Sequence, residues 1–215
     1  MTAQLPEDHP ERWPAEASRQ VLETGRVISV REDTVRSPAD GSTFTRDVVV
    51  HPGAVGVVAL DDEDRVLLVQ QYRHPVGHRL LEVPAGLLDV AGEDYLEAAR
   101  RELFEEAHVR AEDWRVLVDY FTSPGMTTES LRVYLARGLS DVAVGDRHVG
   151  EHEEADMPVV RVPLTDLVAA VLGGRVHNPT LCVGVLATWA ARHGAGYDAL
   201  RDPRCPWPAR EALPR

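Results

Sequence analysis

The amino-acid sequence predicts an α/β sandwich in which helices pack on a mixed β-sheet. Short runs rich in β-branched residues lie on both sides of one amphipathic helix, and one or two further helices follow the last of these runs. Strands that both precede and follow a central helix are typical of a layered domain with one core. With 215 residues, of which 44% are hydrophobic, the chain is long enough for such a core plus an arm or a tail.

The strands before the helix are predicted in pairs. Runs at 26–36 and 43–52 are separated by the turn-forming residues SPADGS, which indicates a hairpin. The same pattern recurs within 53–73, where Asp61–Asp64 form an acidic turn. Residues 1 to about 20 are polar and contain prolines, so we expect an arm with little independent structure there.

The central helix has its apolar residues at three- and four-residue spacing, which places them on one face. These residues are Leu96, Ala99, Leu103 and Ala107. Strands are predicted after this helix at 114–121, 130–137 and 159–164.

The last third of the chain is predicted to be helical. One helix covers 164–172 and ends at two consecutive glycines. Asn178 followed by Pro179 is typical of a helix start, and this helix is predicted to run to about His193. Residues 196–215 are rich in proline, and we predict a tail over the surface there.

The formal net charge of -12 limits the classes of partner. Nucleic-acid backbones and anionic membranes are bound through basic patches, so we expect neither as a partner. The N-terminal residues lack the apolar core of a signal peptide, and no apolar run approaches the length of a membrane span, which predicts a cytoplasmic protein. Cys182 and Cys205 have no metal-ligand or disulfide spacing, which fits a reducing compartment.

Three glutamates crowd the last turns of the central helix. Glu102 and Glu106 are four residues apart on the face opposite the apolar one, and Glu105 adds a third charge. Like charges at this spacing are unfavourable, and the C-terminal end of a helix favours cations instead. We therefore favour a hard divalent cation with oxygen ligands, Mg2+ or Mn2+, over a merely solvated acidic face.

These residues resemble the Nudix box, written G-x5-E-x7-R-E-U-x-E-E-x-G-U, where U is a bulky aliphatic residue. The matching residues are Gly86, Glu93, Arg101, Glu102, Leu103, Glu105, Glu106 and Val109. Two departures are visible: six residues instead of five separate Gly86 from Glu93, and His108 replaces the second glycine. The first departure lies in the loop before the helix. The second lies at the helix C-cap, where we expect a stability cost of about 1 kcal/mol and no loss of chemistry.

The resemblance implies an α/β/α Nudix fold over roughly residues 45–190 and a metal-dependent hydrolase of a diphosphate linked to another group. Pro124 and Gly125 stand in a Ser-Pro-Gly loop, with Pro124 16 residues after His108. A proline at this position resembles the ADP-ribose pyrophosphatase subgroup, which implies a homodimer built with the help of an N-terminal β segment. We accordingly predict an N-terminal arm and β segment over 1–44, a Nudix hydrolase domain over 45–195 and a C-terminal tail over 196–215.

The resemblance also implies roles for individual residues. The implied Mg2+ ligands, with Mn2+ as an alternative ion, are Glu102, Glu106, the carbonyl of Ala85 and, toward a second ion, Glu105. Arg101 and Glu93 would orient these carboxylates. The general base would come from the acidic loop that contains Glu151, Glu153 and Glu154, and the subgroup favours Glu154 among the three.

Substrate contacts are predicted from arginines near the box. Arg73 ends a predicted strand just ahead of the glycine loop, the segment that starts at Ala85-Gly86 and leads to the central helix. Arg73 is a candidate to bind a phosphate, with Arg46 as a weaker second. The sequence thus predicts Mg2+-dependent hydrolysis of ADP-ribose to AMP and ribose 5-phosphate. Two alternatives stay open. The substrate could be another nucleoside diphosphate derivative, such as a nucleotide sugar, NADH or a flavin dinucleotide, or the chain could be a Nudix module that binds a nucleotide without cleaving it.

Overall fold

The computed structural model of the chain describes residues 13–22, 27–146, 148 and 157–213. Contacts within the chain divide it into two compact units. The first unit contains the chain up to Pro52, the segment Ser123–Glu129 and the chain from Pro206 onward. The second unit contains Gly53–Thr122 and Ser130–Cys205.

The first unit holds a three-stranded antiparallel sheet. Its strands are β1 (Ala15–Leu22), β2 (Ser29–Arg36) and β3 (Thr43–Val50), in the order β1-β2-β3. β2 and β3 pair from Ser29 opposite Val50 to Arg36 opposite Thr43, which confirms the predicted hairpin. The end of β3 also holds the loop Ser123–Glu129, because the Val49 amide donates to the Met126 carbonyl at 2.8 Å.

The prediction of little structure in the N-terminal arm is wrong for β1. The described side chains of this strand, over 15–21, are all exposed, so they carry no alternation of buried and exposed residues from which a strand could be predicted. Backbone pairing with β2 forms the strand instead. An ion pair between Arg36 and Glu16 adds a side-chain link across the same two strands.

The second unit is built on a seven-stranded mixed sheet. Its strands are β4 (Ala54–Leu60), β5 (Arg65–Arg73), β6 (His78–Glu82), β7 (Ala85–Leu87), β8 (Val109–Phe121), β9 (Ser130–Asp141) and β10 (Val159–Pro163). Five of them follow the order β10-β5-β4-β9-β8, while β6 pairs with β5 and β7 pairs with β4. β4 and β9 are parallel, and the other pairs are antiparallel.

Helices cover both faces of this sheet. The helices of the second unit are α1 (Tyr95–Ala107), α2 (Leu164–Leu172) and α3 (Pro179–His193), whereas the short α4 (Pro208–Glu211) belongs to the first unit. β4 is buried along its whole length, and its alternate residues belong to two different cores. Val57 packs in the core that includes Leu103 of α1, whereas Val58 packs in the core that includes Leu181 of α3. The predicted α/β sandwich with a mixed sheet is confirmed.

Part of the predicted C-terminal tail is anchored on the sheet of the second unit. Arg132 of β9 is 1% exposed, and its guanidinium donates to both carboxylate oxygens of Asp119 at 2.8 and 3.0 Å. The same guanidinium donates to the Cys205 carbonyl at 2.8 Å, and Arg201 donates to Asp119 at 2.7 Å. The chain up to Cys205 is therefore tied to β8 and β9. In the described parts of the molecule, no helix has the length and hydropathy needed to cross a membrane.

Both ends of α1 carry defined caps. The Asp94 carboxylate accepts a hydrogen bond from the Leu96 amide at 3.0 Å, which satisfies one of the unpaired amides at the helix start. His108 ends the helix in the left-handed conformation, with φ 54° and ψ 39°, and its amide donates to the Phe104 carbonyl at 3.0 Å. The Nδ1 atom of His108 is buried and has no hydrogen-bond partner among the described residues. The sequence departure from glycine therefore lies where glycine would be least strained.

We predict that His108→Gly raises the free energy of unfolding by about 0.5 to 1 kcal/mol. A non-glycine residue in the left-handed region costs about 1–2 kcal/mol, and the greater freedom of glycine in the unfolded chain offsets part of the gain. Chemical denaturation of both proteins measures the difference. His108→Ala is the control, because it removes the ring and keeps the strained backbone, and it should not stabilise. A His108→Gly variant no more stable than the parent would contradict the backbone argument.

Candidate active site

The apolar face of α1 determines where its carboxylates point. Leu96, Ala99, Leu103 and Ala107 are all buried, as their spacing predicted. Because the helix is held by this face and by its Asp94 cap, the side of α1 that carries Glu102, Glu105 and Glu106 is left to meet the loop that precedes the helix. Glu102 is itself only 8% exposed, which is unusual for a carboxylate.

Arg101 links three carboxylates on this side of the helix. Its Nε and Nη2 atoms donate to the two oxygens of Glu93 at 3.1 and 3.2 Å. Its Nη1 atom donates to Glu102 at 2.6 Å and to Glu105 at 3.2 Å. The hydrogen bonds with Glu93, followed by the nearby negative charges, raise the pKa of the Arg101 guanidinium above its ordinary value. Part of the compensation for the crowded glutamates therefore comes from Arg101 itself.

The short strand β7, in which the predicted glycine loop begins, lies directly against two of the glutamates. The Ala85 amide donates to the Oε2 atom of Glu106 at 3.0 Å. At Gly86, an added Cβ atom would lie 1.9 Å from the Oε1 atom of Glu102, so a larger residue at this position would force the Glu102 carboxylate to move. Glycine at position 86 therefore permits the close approach of Glu102. The structure brings together Ala85, Glu102 and Glu106, as the sequence predicted.

The oxygen atoms of this arrangement suit a hard divalent cation. Glu102, Glu106 and the carbonyl of Ala85 could hold Mg2+ or Mn2+, with Glu105 on the same side of the helix. Within the described residues, no group of three or more His, Cys, Asp or Glu side chains is arranged to hold a metal ion by itself. Mg2+ does not require such a cage, because it keeps several waters and takes one or two carboxylates together with substrate phosphates. The donor set therefore fits Mg2+.

Arg73 at the end of β5 has a partner that the sequence analysis missed. Its Nε and Nη2 atoms donate to the two oxygens of Glu82 at 2.9 and 2.7 Å. The Glu82 side chain is 3% exposed, whereas that of Arg73 is 41% exposed. The only signal in the sequence was a glutamate between Leu81 and Val83, in a run whose other residues are apolar.

The remaining predicted substrate contacts belong to the first unit. Arg46 of β3 lies over the ring of Phe44, with 4.4 Å from Cζ to the ring centroid, and donates to the Thr45 carbonyl at 2.9 Å. Pro124 and Gly125 are exposed in the loop that the end of β3 holds. Their roles stay predictions.

The predicted base lies outside the described residues. Glu151, Glu153 and Glu154 all belong to the segment for which the structure describes no positions. The choice of Glu154 among them therefore remains a prediction.

Comparison with known proteins identifies the family and agrees with the fold. The NUDIX domain matches residues 50–178. An ADP-ribose pyrophosphatase of Mycobacterium tuberculosis is 48% identical over 177 residues, covering 82% of this chain and 84% of that protein. A methanol dehydrogenase activator of Bacillus methanolicus is 33% identical over 162 residues, covering 75% of this chain and 85% of that protein.

A solved structure shows the same architecture. The crystal structure of an ADP compounds hydrolase superposes with a TM-score of 0.67 and covers 87% of this chain and 99% of that chain. Its sequence identity of 22% supports a likeness of fold alone. Together with the domain match and the 48% identical relative, these findings show that the chain belongs to the Nudix family.

Proposed function

We propose that this chain is a Mg2+-dependent hydrolase that converts ADP-ribose and water to AMP and ribose 5-phosphate. The observation that carries the proposal is the contact of α1 with Ala85 and Gly86. Glu102 lies against the backbone of Gly86, and Glu106 accepts a hydrogen bond from the Ala85 amide. The choice of ADP-ribose is supported by the relative of Mycobacterium tuberculosis, whose 48% identity extends over most of both chains.

Nudix hydrolases generally need a divalent metal. We propose that Glu102, Glu106 and the carbonyl of Ala85 hold Mg2+ here, and that Glu105 contacts a second ion. When bound, the metal would neutralise the diphosphate and polarise the phosphorus that is attacked. Arg101 supports this role, because its bonds to Glu93 on one side and to Glu102 on the other restrict the carboxylate that it touches.

The chain itself would supply the proton acceptor and the substrate contacts. Glu154, or Glu153 beside it, would take a proton from the attacking water as the new bond from oxygen to phosphorus forms. The bond from that phosphorus to the bridging oxygen breaks, and the other phosphate ester leaves with the bridging oxygen. Arg73 would contact a phosphate of the substrate, with Arg46 as the weaker candidate for that contact, and Pro124 and Gly125 are further candidates for substrate binding.

Two other functions compete with this proposal. Another nucleoside diphosphate derivative is the main alternative substrate, because the Nudix box does not specify the group that is linked to the diphosphate. A nucleotide-binding module without catalysis is the other alternative. Such modules typically lose carboxylates of the box, whereas Glu102, Glu105 and Glu106 are all present here.

The first test is turnover by the purified protein with Mg2+ on a panel of ADP-ribose, nucleotide sugars, NADH and a flavin dinucleotide. We expect the highest kcat/KM with ADP-ribose, and a loss of about a hundredfold or more in Glu106→Gln, because a metal ligand should matter more than a residue that only supports one. Glu97→Gln is the matched control, since Glu97 is exposed on the same helix and pairs with Arg100.

Each result of the panel has a separate meaning. Faster turnover of another diphosphate would retain the metal site and overturn the choice of substrate. Full activity of Glu106→Gln would overturn the metal assignment. Nucleotide binding without any Mg2+-dependent turnover would favour the binding module.

We also propose that the protein is a homodimer joined through its N-terminal sheet. Within the described residues β1 pairs with β2 and no other strand, so its outer edge is available to another chain. The first unit also exposes Trp13, Val21 and Val27, which are 43%, 54% and 44% exposed.

Light scattering coupled to gel filtration tests the dimer. The expected mass is twice the 23.7 kDa of one chain, and Val21→Glu should shift the equilibrium toward single chains because it places a charge on β1. Val144→Glu is the control, since Val144 is 79% exposed in the second unit and should leave the mass unchanged. A mass of one chain for the parent protein at micromolar concentration would refute the proposal.

A further inference from the structure

Glu82 is a buried carboxylate whose purpose the proposed chemistry does not explain. It ends β6 with 3% of its side chain exposed, and both of its oxygens accept hydrogen bonds from Arg73. A buried carboxylate is costly, and an apolar residue of similar volume would serve the packing of a strand equally well. The pair therefore calls for an explanation beyond stability of the sheet.

The strand register shows that the pair is not a simple contact between opposite residues. Arg73 lies opposite His78, whereas Glu82 lies opposite Val69, four residues earlier on β5. Residues 69 and 73 point to the same face, and four residues of strand span roughly 13 Å. The side chains of Arg73 and Glu82 must therefore reach along the sheet toward each other to meet.

Glu82 lies at the end of β6 that leads into the glycine loop. Glu82 is three residues before Ala85, whose amide contacts Glu106. Two buried residues, Val83 and Pro84, connect them, and the Val57 amide donates to the Pro84 carbonyl at 2.8 Å, which holds this connection to β4. The guanidinium of Arg73 is thus drawn toward the end of β6 that enters the candidate metal site.

The geometry of the pair also fixes the orientation of the guanidinium. Two parallel hydrogen bonds to one carboxylate hold the planar group in one position, which a single bond would not do. The Arg73 side chain nevertheless remains 41% exposed, so the group is held and accessible at once. An arginine held in this way loses less conformational freedom when it binds an anion than a mobile one does.

We propose that Glu82 is a positioning residue that holds the Arg73 guanidinium beside the glycine loop, where Arg73 contacts the diphosphate of the substrate. This inference rests on the proposed function, since it requires a substrate with a diphosphate group. Glu82 does not touch the substrate and acts through Arg73 alone. The effects of changing either residue should therefore appear in substrate affinity and should not add to each other.

Steady-state kinetics with ADP-ribose and Mg2+ on Arg73→Ala, Glu82→Gln and the double variant tests the proposal. A lost hydrogen bond to a charged group corresponds to about a tenfold or greater rise in KM for each single variant. We expect kcat to change by less than about threefold, and the double variant to show the KM of Arg73→Ala within about twofold. Glu82→Asp, which keeps the charge and shortens the side chain, should recover part of the affinity.

A matched control separates positioning from stability. Arg137 donates to Asp113 through Nε and Nη2 at 3.0 and 2.6 Å, in a pair on the hairpin of β8 and β9. Both nitrogens donate to the Oδ2 atom of Asp113, and Asp113→Asn weakens this arginine–carboxylate pair outside the candidate site, so it should leave KM unchanged. Denaturation of every variant shows whether a change in stability accompanies the change in KM.

Several outcomes would overturn the inference. An unchanged KM in Glu82→Gln with a lower unfolding midpoint would make the pair purely structural. An unchanged KM in Arg73→Ala would remove the substrate contact, and additive effects in the double variant would give Glu82 an independent role.

Failure of the proposed function is read separately, from the parent protein. If the parent binds ADP-ribose without cleaving it, the same comparison is made with Kd from calorimetry in place of KM. If the parent neither binds nor cleaves any diphosphate of the panel, the inference falls together with the proposed function.

Discussion

The Glu102 carboxylate lies so close to the backbone of Gly86 that no side chain fits between them, and the geometry of the site depends on this contact. Packing within the second unit holds both Gly86 and the helix that carries Glu102 in place. Gly86 lies in β7, which pairs with the buried strand β4 through Val55 opposite Gly86. The helix is held by its apolar face, in the core that it shares with β4. The hydrophobic core thus holds β7 and α1 at a separation at which Glu102 meets the backbone of Gly86, and a larger residue at position 86 would displace that carboxylate.

Charge is distributed unevenly around this contact. One guanidinium, that of Arg101, is shared among Glu93, Glu102 and Glu105, and Glu106 adds a further carboxylate on the same side of α1. Negative charge therefore exceeds positive charge here, although a diphosphate substrate is itself an anion. A divalent cation resolves this conflict, because it neutralises the carboxylates and the substrate together. The second arginine, Arg73, is paired with one buried carboxylate and stays partly exposed, which suits contact with an anion.

The parts predicted from the sequence are those with strong local signals. The repeat of apolar residues in α1, the two glycines after α2 and the Asn178-Pro179 start of α3 each identify an element through chemistry confined to a few residues. The resemblance to the Nudix family implied that Ala85 acts together with Glu102 and Glu106, and the structure has the Ala85 amide bonded to Glu106, while their role as metal ligands stays a prediction. Residues with no such motif were harder to place.

The features that the sequence did not reveal depend on tertiary pairing. β1 is held by backbone bonds to β2 and has exposed side chains, so its sequence carries no burial pattern. The contact of Arg73 with Glu82 depends on the register of two strands and on side chains that reach along the sheet. Neither the pairing of β1 nor the contact of Arg73 with Glu82 can be predicted from local propensity, because both are properties of the assembled sheet.

The most direct test of the proposed metal site is the binding of Mn2+ alone to the parent protein and to Gly86→Ala. The electron paramagnetic resonance signal of the free ion measures this binding. Gly145→Ala is the control, since a Cβ atom there would meet nothing within 4 Å. We expect the parent and the control to bind Mn2+ alike, and Gly86→Ala to bind it about tenfold or more weakly because Glu102 is displaced. Equal Mn2+ affinity in Gly86→Ala, with the fold intact, would contradict the claim that this contact builds the metal site.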